Sequence, residues 1–167
     1  MAGKTTNEIV KVKIADLAVK KGEGTLVTIG LGSCVGVSLY DGIAKVGGLA
    51  HVLLSDSTQF SNQKKEQNPA KFADTALPLL VKKMEQQGGQ KSRLRAKIAG
   101  GSKLFGKNSN IMGVGEKNIQ KTRQTLEQMG IPVLAEDVGG DYGRTMKVDV
   151  YTGDVTISTV GRGEKKL

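Results

Sequence analysis

The sequence predicts an α+β domain with mostly antiparallel strands and helices packed on sheet faces. Strand-type segments follow one another with short turn signals between them, and only two stretches carry a helical period. The 23 glycines gather at turns, where backbone freedom is needed, and form no low-complexity tract. No internal repeat and no linker interrupts the chain. Residues 1–167 are therefore expected to be a single domain, with the tail at 161–167 disordered.

Each element has its own signal. Residues 7–14 (EIVKVKIA) alternate apolar and polar side chains, the period of a half-buried strand. TLVTI at 25–29 is a second strand, closed by the glycine-rich turn GLGS. CVGVSLY and AKVGGLAHVLL follow as two more, with Asp41-Gly42 between them as the turn. The polar, aperiodic stretch 55–69 is expected to be a mobile loop. Ala73, Ala76, Leu77, Leu80, Val81 and Met84 then form one helical stripe, stopped at Gly88-Gly89, with Pro78 as a candidate kink. RAKIAGG is a strand leading into GGSKLFGKNSN. A second helix at about 115–129 places Ile119, Leu126 and Met129 on one face. IPVLAED, the turn GGDYGR, and a hairpin TMKVDVYTGDVTIS turning at Thr152-Gly153 complete about seven strands.

Composition narrows the function. Net charge is +9, but the basic residues are spread, with one modest concentration at Lys91, Arg93, Arg95, Lys97, Lys103 and Lys107. There is no Trp and aromatics are 4%, so stacking platforms for nucleic acid are scarce, and no nucleic-acid partner is expected. An acidic protein surface suits the charge better. No apolar run approaches the ~20 residues that cross a bilayer, so no membrane insertion is expected. The N-terminus lacks a secretory apolar core, which places the chain in the cytoplasm as an expectation. One Cys and one His are too few for a structural zinc site, and no metal or other cofactor is expected.

Those two singletons, Cys34 and His51, lie in neighbouring strand segments. If the strands pair around a turn at 41–44, facing positions sum to 85, which sets Cys34 opposite His51, with Cβ atoms about 4.5–5.5 Å apart. Pairing TLVTI with CVGV across Gly30–Gly32 gives a sum of 62 and sets Thr28 beside Cys34. Another strand order would bring Thr28 to the imidazole instead. The grouping matters chemically. An imidazole can take the thiol proton, a third group can orient the ring, and the N–H groups of Gly32 and Ser33 are candidates to stabilise an oxyanion. The residues alone also allow a buried, inert Cys and a structural His.

At these residues the chain resembles a known family, the chemoreceptor glutamine deamidases called CheD. The resemblance is carried by TIGLGSCVGVSLYD, KVGGLAHVLLSDS, KFADTAL, AKIAGGSKLF, IMGVGEKN and LAEDVGGDYGRT, in that order. Met112 in IMGVGEKN is the one small departure, away from the site. The resemblance implies a compact α/β sandwich similar to the catalytic domains of deamidating toxins. It also implies a catalytic set of Cys34, His51 and Thr28, acting through a cysteine thioester to convert receptor glutamines to glutamates with release of ammonia. It further implies hydrolysis of methylglutamate esters in some members, and binding to the CheY-phosphatase CheC. Phe105, an aromatic among glycines, is a candidate anchor for that partner, or a core residue holding its own loop. The alternatives are an adaptor that binds receptor or CheC without catalysis, and a Cys protease or transglutaminase.

Overall fold

The computed structural model describes residues 8–60, 68–103 and 113–167. In chain order its elements are β1 (Ile9–Lys11), β2 (Asp16–Lys21), β3 (Thr25–Leu31), β4 (Val35–Asp41), β5 (Val46–Val52), α1 (Ala73–Gln86), β6 (Arg95–Gly100), α2 (Val114–Gln128), β7 (Val133–Val138), β8 (Arg144–Asp149), β9 (Val155–Thr159) and β10 (Gly163–Lys166). They form two five-stranded sheets, one in the order β1-β3-β8-β9-β10 and the other β2-β5-β4-β6-β7. Only β1–β3 and β6–β7 are parallel.

The fold is α+β and sandwich-like, as the sequence predicts, in three layers. Val35, Val37, Leu39, Ala50, Val52 and Ile98 of the second sheet pack against the Leu77, Leu80 and Met84 stripe of α1. The opposite face of that sheet, through Leu49 and Ala99, meets Leu26, Met146, Val148 and Ile157 of the first sheet. A strand covered on both sides needs no polar alternation, so β5 is buried along its whole length and is apolar except for His51. Gly48 explains how α1 sits so close, because a Cβ there would press on Leu80 and Met84 at 2.9 Å. Pro78 lies inside α1 without dividing it.

The strand count exceeds the sequence expectation at two places. The segment expected as one strand over 7–14 ends at Lys11, and Ala15 adopts a left-handed φ of 58° that turns the chain. Residues 16–21 then become β2, an edge strand of the other sheet paired with β5. Its sequence DLAVKK is half-exposed and lysine-rich, as suits a sheet edge, and so carries little alternation. The tail expected to be disordered instead forms β10, antiparallel to β9. Its four residues are all exposed, so no apolar pattern announces it; backbone pairing holds it, with ion pairs from Lys165 to Asp137 and Lys166 to Asp154.

Within the loop expected at 55–69, Ser57–Phe60 and Pro69–Lys71 are short 3-10 turns, and residues 61–67 lie outside the described residues.

Candidate active site

The site is built where the chain crosses between the sheets. β3 belongs to the first sheet and β4 to the second, so the segment Gly32–Cys34 between them is a crossover and not a hairpin. The expected pairing of TLVTI with CVGV is therefore absent; β3 pairs with β1 and β8. Cys34 sits at the end of this crossover, immediately before β4.

The β4–β5 hairpin exists, but its register differs from the expected one by two residues. Val35 pairs with Val52, Gly36 with His51 and Asp41 with Val46. The turn is Gly42–Lys45, one residue later at each end than 41–44 implies. Asp41 remains in the strand and its carboxylate accepts the Ile43 and Ala44 N–H groups, while Lys45 takes a left-handed φ of 55°. The Asp41 carboxylate is fully buried. Burial alone would raise its pKa, but the N–H groups of Ala44, Gln90 and Ile43 and the Arg93 guanidinium outweigh that and hold it below the usual range.

A two-residue shift keeps side-chain parity, so Cys34 and His51 still share the inter-sheet face. Cys34 belongs to the cluster of Leu31, Leu49, Ala99 and Met146. It is diagonal to His51 rather than opposite, a relation that places such Cβ atoms somewhat under ~7–8 Å apart.

Thr28 settles the question of its partner. From the first sheet it reaches across the interface, and its Oγ1 lies 2.6 Å from His51 Nδ1 and 2.6 Å from the Val12 carbonyl oxygen. A carbonyl can only accept, so the single hydroxyl proton goes to Val12 and Oγ1 must accept from Nδ1–H. The proton on Nδ1 leaves Nε2 as the basic nitrogen, and Nε2 is buried with no partner among the described residues. Thr28 thus fixes both the tilt and the tautomer of the ring.

Burial sets the resting protonation. It lowers the His51 pKa to about 4 and raises that of the Cys34 thiol above the ordinary value. Near neutral pH the pair is a neutral imidazole and a protonated thiol in apolar surroundings. In such poorly solvated surroundings a preformed thiolate–imidazolium pair is disfavoured, so the resting pair is uncharged.

The crossover is held rigidly through its carbonyls. Gly32 O accepts from Ser102 N–H at 2.7 Å, Ser33 O from Asn118 Nδ2 at 2.9 Å, and Cys34 O from Gly101 N–H at 2.8 Å. Gly100 allows this approach: its φ is +106° and a Cβ would run into the Cys34 carbonyl oxygen. Of the two candidate oxyanion donors, Gly32 N–H is spent on the Gly30 carbonyl, whereas Ser33 N–H has no backbone partner among the described residues.

Sequence reasoning missed a buried polar support behind this loop. Arg144, almost wholly buried, donates to Ser102 Oγ at 2.8 Å and to Asp137 at 3.3 Å, and stacks on the Tyr142 ring. Ser102 Oγ in turn donates to the Tyr142 carbonyl at 2.6 Å. In sequence IPVLAED reads as a strand and GGDYGR as a turn; only packing shows that Asp137 and Arg144 brace the crossover. Asn118, buried on α2, was likewise legible only as part of a motif block. Phe105, Lys107 and Met112 lie outside the described residues. Among the described residues no group of three or more His, Cys, Asp or Glu side chains is arranged to hold a metal, and no helix is long and apolar enough to cross a membrane.

Comparison with known proteins gives a consistent picture. A family model described as CheD chemotactic sensory transduction matches residues 53–159. That span begins two residues after His51, so the match is carried by the rest of the chain and not by Thr28, Cys34 and His51. Proteins named "Probable chemoreceptor glutamine deamidase CheD" match nearly end to end. One from Clostridium botulinum (strain Hall) is 51% identical, covering 95% of this chain and 97% of its own length. One from Clostridium novyi (strain NT) is 50% identical over the same shares. Among solved structures, the hypothetical protein YfiH of Bacillus licheniformis overlaps 80% of this chain and 61% of its own, with 16% identity and a TM-score of 0.44, a likeness too slight to carry an argument.

Proposed function

The chain belongs to the CheD family, and from that premise we propose that it hydrolyses the side-chain amides of specific chemoreceptor glutamines to glutamates, releasing ammonia. The observation that supports this most is the Thr28 hydroxyl, which spends its proton on Val12 and so leaves His51 Nε2 as a free base on the face that carries Cys34. A structural histidine would ordinarily use both ring nitrogens.

In this reading, Cys34 Sγ attacks the glutamine Cδ as its proton passes to His51 Nε2. The carbonyl electrons move to oxygen, and Ser33 N–H is placed to stabilise the oxyanion. When the intermediate collapses, the C–N bond breaks and the imidazolium gives its proton to the leaving nitrogen as ammonia. A water then attacks the thioester while His51 takes its proton, and the C–S bond breaks to free glutamate and thiol. Thr28 Oγ1 accepts from Nδ1–H throughout, most strongly while the ring is charged. Each turnover adds one negative charge to a receptor helix and creates a carboxylate open to methylation. The setting would be the cytoplasm, where receptor helices of this kind are presented.

The test is mapping of glutamine-to-glutamate conversion on the cytoplasmic helices of receptors from the same organism. Conversion is expected with the native protein and none with Cys34→Ala at equal folding. Full conversion by Cys34→Ala would overturn the assignment. Peptide fragmentation or amine incorporation in the same spectra would point to a protease or transglutaminase. The family resemblance also supports binding to a CheC phosphatase, with Phe105 as anchor. Binding that survives Cys34→Ala and fails in Phe105→Ala would separate that adaptor role from catalysis.

A further inference from the structure

Asn118 is fully buried on α2, and its amide nitrogen donates to two backbone oxygens, Ser33 O at 2.9 Å and Leu53 O at 3.0 Å. Both partners only accept, so the amide has one orientation, nitrogen toward the backbone and Oδ1 away from it. Ser33 immediately precedes Cys34, and Leu53 lies two residues beyond His51. The β4–β5 ladder ends at Val35–Val52, and among the described residues no further backbone rung joins the crossover to the segment that follows β5. One side chain supplies the missing rung.

We propose that Asn118 is a positioning residue for the Cys34–His51 pair, setting the separation between nucleophile and base by clamping the two segments that carry them. The proposal rests on the deamidase reading of that pair. Docking of α2 does not by itself call for an asparagine here. Ile119 and Leu126 of the same helix already pack into the core, so an apolar side chain at 118 would dock the helix, though it would take this donor away from Ser33 O and Leu53 O. Instead Asn118 Oδ1 is buried with no partner among the described residues, an unfavourable arrangement that persists where the other end of the amide is needed. Its two donations go to the two segments of the chain on which the candidate nucleophile and base depend.

The experiment compares Asn118→Ala and Asn118→Asp with Thr122→Val and His51→Ala in the full chain. Thr122 is buried one turn further along the same face of α2, and its Oγ1 has no partner among the described residues, so its substitution reports on packing alone. The readouts are folding, kcat and KM for deamidation, and the pH profile of Cys34 alkylation by iodoacetamide. Loosening the clamp is expected to lower kcat roughly 10–100-fold, the scale of about 1 Å of misplacement. KM should stay within about twofold, since the loss falls on the transition state. The alkylation profile should move toward that of His51→Ala, while Thr122→Val behaves as native. A folded Asn118 variant with native kcat and native alkylation would overturn the proposal, as would an equal loss in Thr122→Val. If both Asn118 variants fail to fold, the residue belongs to stability and the proposal falls. An alkylation profile unchanged by His51→Ala would instead remove the Cys–His pair itself.

Discussion

Replacing Thr28 by valine removes one oxygen while nearly preserving shape, and the structure says what that oxygen does. Two buried groups lose their partner: the Val12 carbonyl and His51 Nδ1–H, each 2.6 Å from Oγ1. Leaving a buried donor or acceptor unpaired costs about 1–3 kcal/mol, so with two such groups Thr28→Val is expected to destabilise the protein by roughly 2–6 kcal/mol. The catalytic effect is separate. A hydrogen bond to a charged partner contributes about 1.5–3 kcal/mol, and in the proposed reaction the imidazolium forms only at turnover. Removing its acceptor should slow turnover about 10–150-fold at 1.4 kcal/mol per decade. Thr28→Ser keeps the hydroxyl and should retain most activity. The assay is the rate of glutamine-to-glutamate conversion on receptor peptides, read by mass, with the folded fraction measured in parallel. A Thr28→Val protein that turns over at the native rate when folded would refute the reasoning, as would a serine variant no better than the valine one.

Two further outcomes follow from the same geometry. His51 is neutral in the folded protein down to about pH 4, whereas in the unfolded chain it protonates near pH 6.5. The unfolded state therefore binds the extra proton between those values, so stability should fall as pH drops from about 6.5 to about 4. The slope would approach 1.4 kcal/mol per pH unit at its steepest, and His51→Gln should flatten it in denaturant melts across that range. Gly100→Ala should destabilise the fold by about 3 kcal/mol or more, because a left-handed φ strains the new residue and its Cβ meets the Cys34 carbonyl. A melting temperature within a few degrees of native would show that the crossover tolerates what the geometry forbids.

Where periodicity was strong, the sequence was a good guide. The stripe from Ala73 to Met84 is α1, and the alternating or apolar runs at 35–41, 46–52 and 133–138 are strands. The failures share a cause. β2 and β10 are edge strands that do not alternate: β2 is half-buried on both faces, with Leu17 and Val19 against one core and Ala18 against the other, and β10 is exposed throughout and held by backbone pairing. Asn118 and Arg144 look like solvated helix and turn residues until the packing places them inside.

The pair Cys34 and His51 shows where sequence stops. Alternation along β4 and β5 fixed Cys34 and His51 on one face, and that survived a register shift of two because strand parity repeats every two residues. The sequence thus determined the chemical inventory of the site and the side of the sheet on which it lies. The partner of Thr28 was decided elsewhere. β3 leaves its sequence neighbour β4 and enters the other sheet, so a hydroxyl expected beside the cysteine meets the imidazole instead. Local periodicity reports which face a residue takes. Which face it then meets depends on how two sheets stack, and that is set by burial summed over the whole chain.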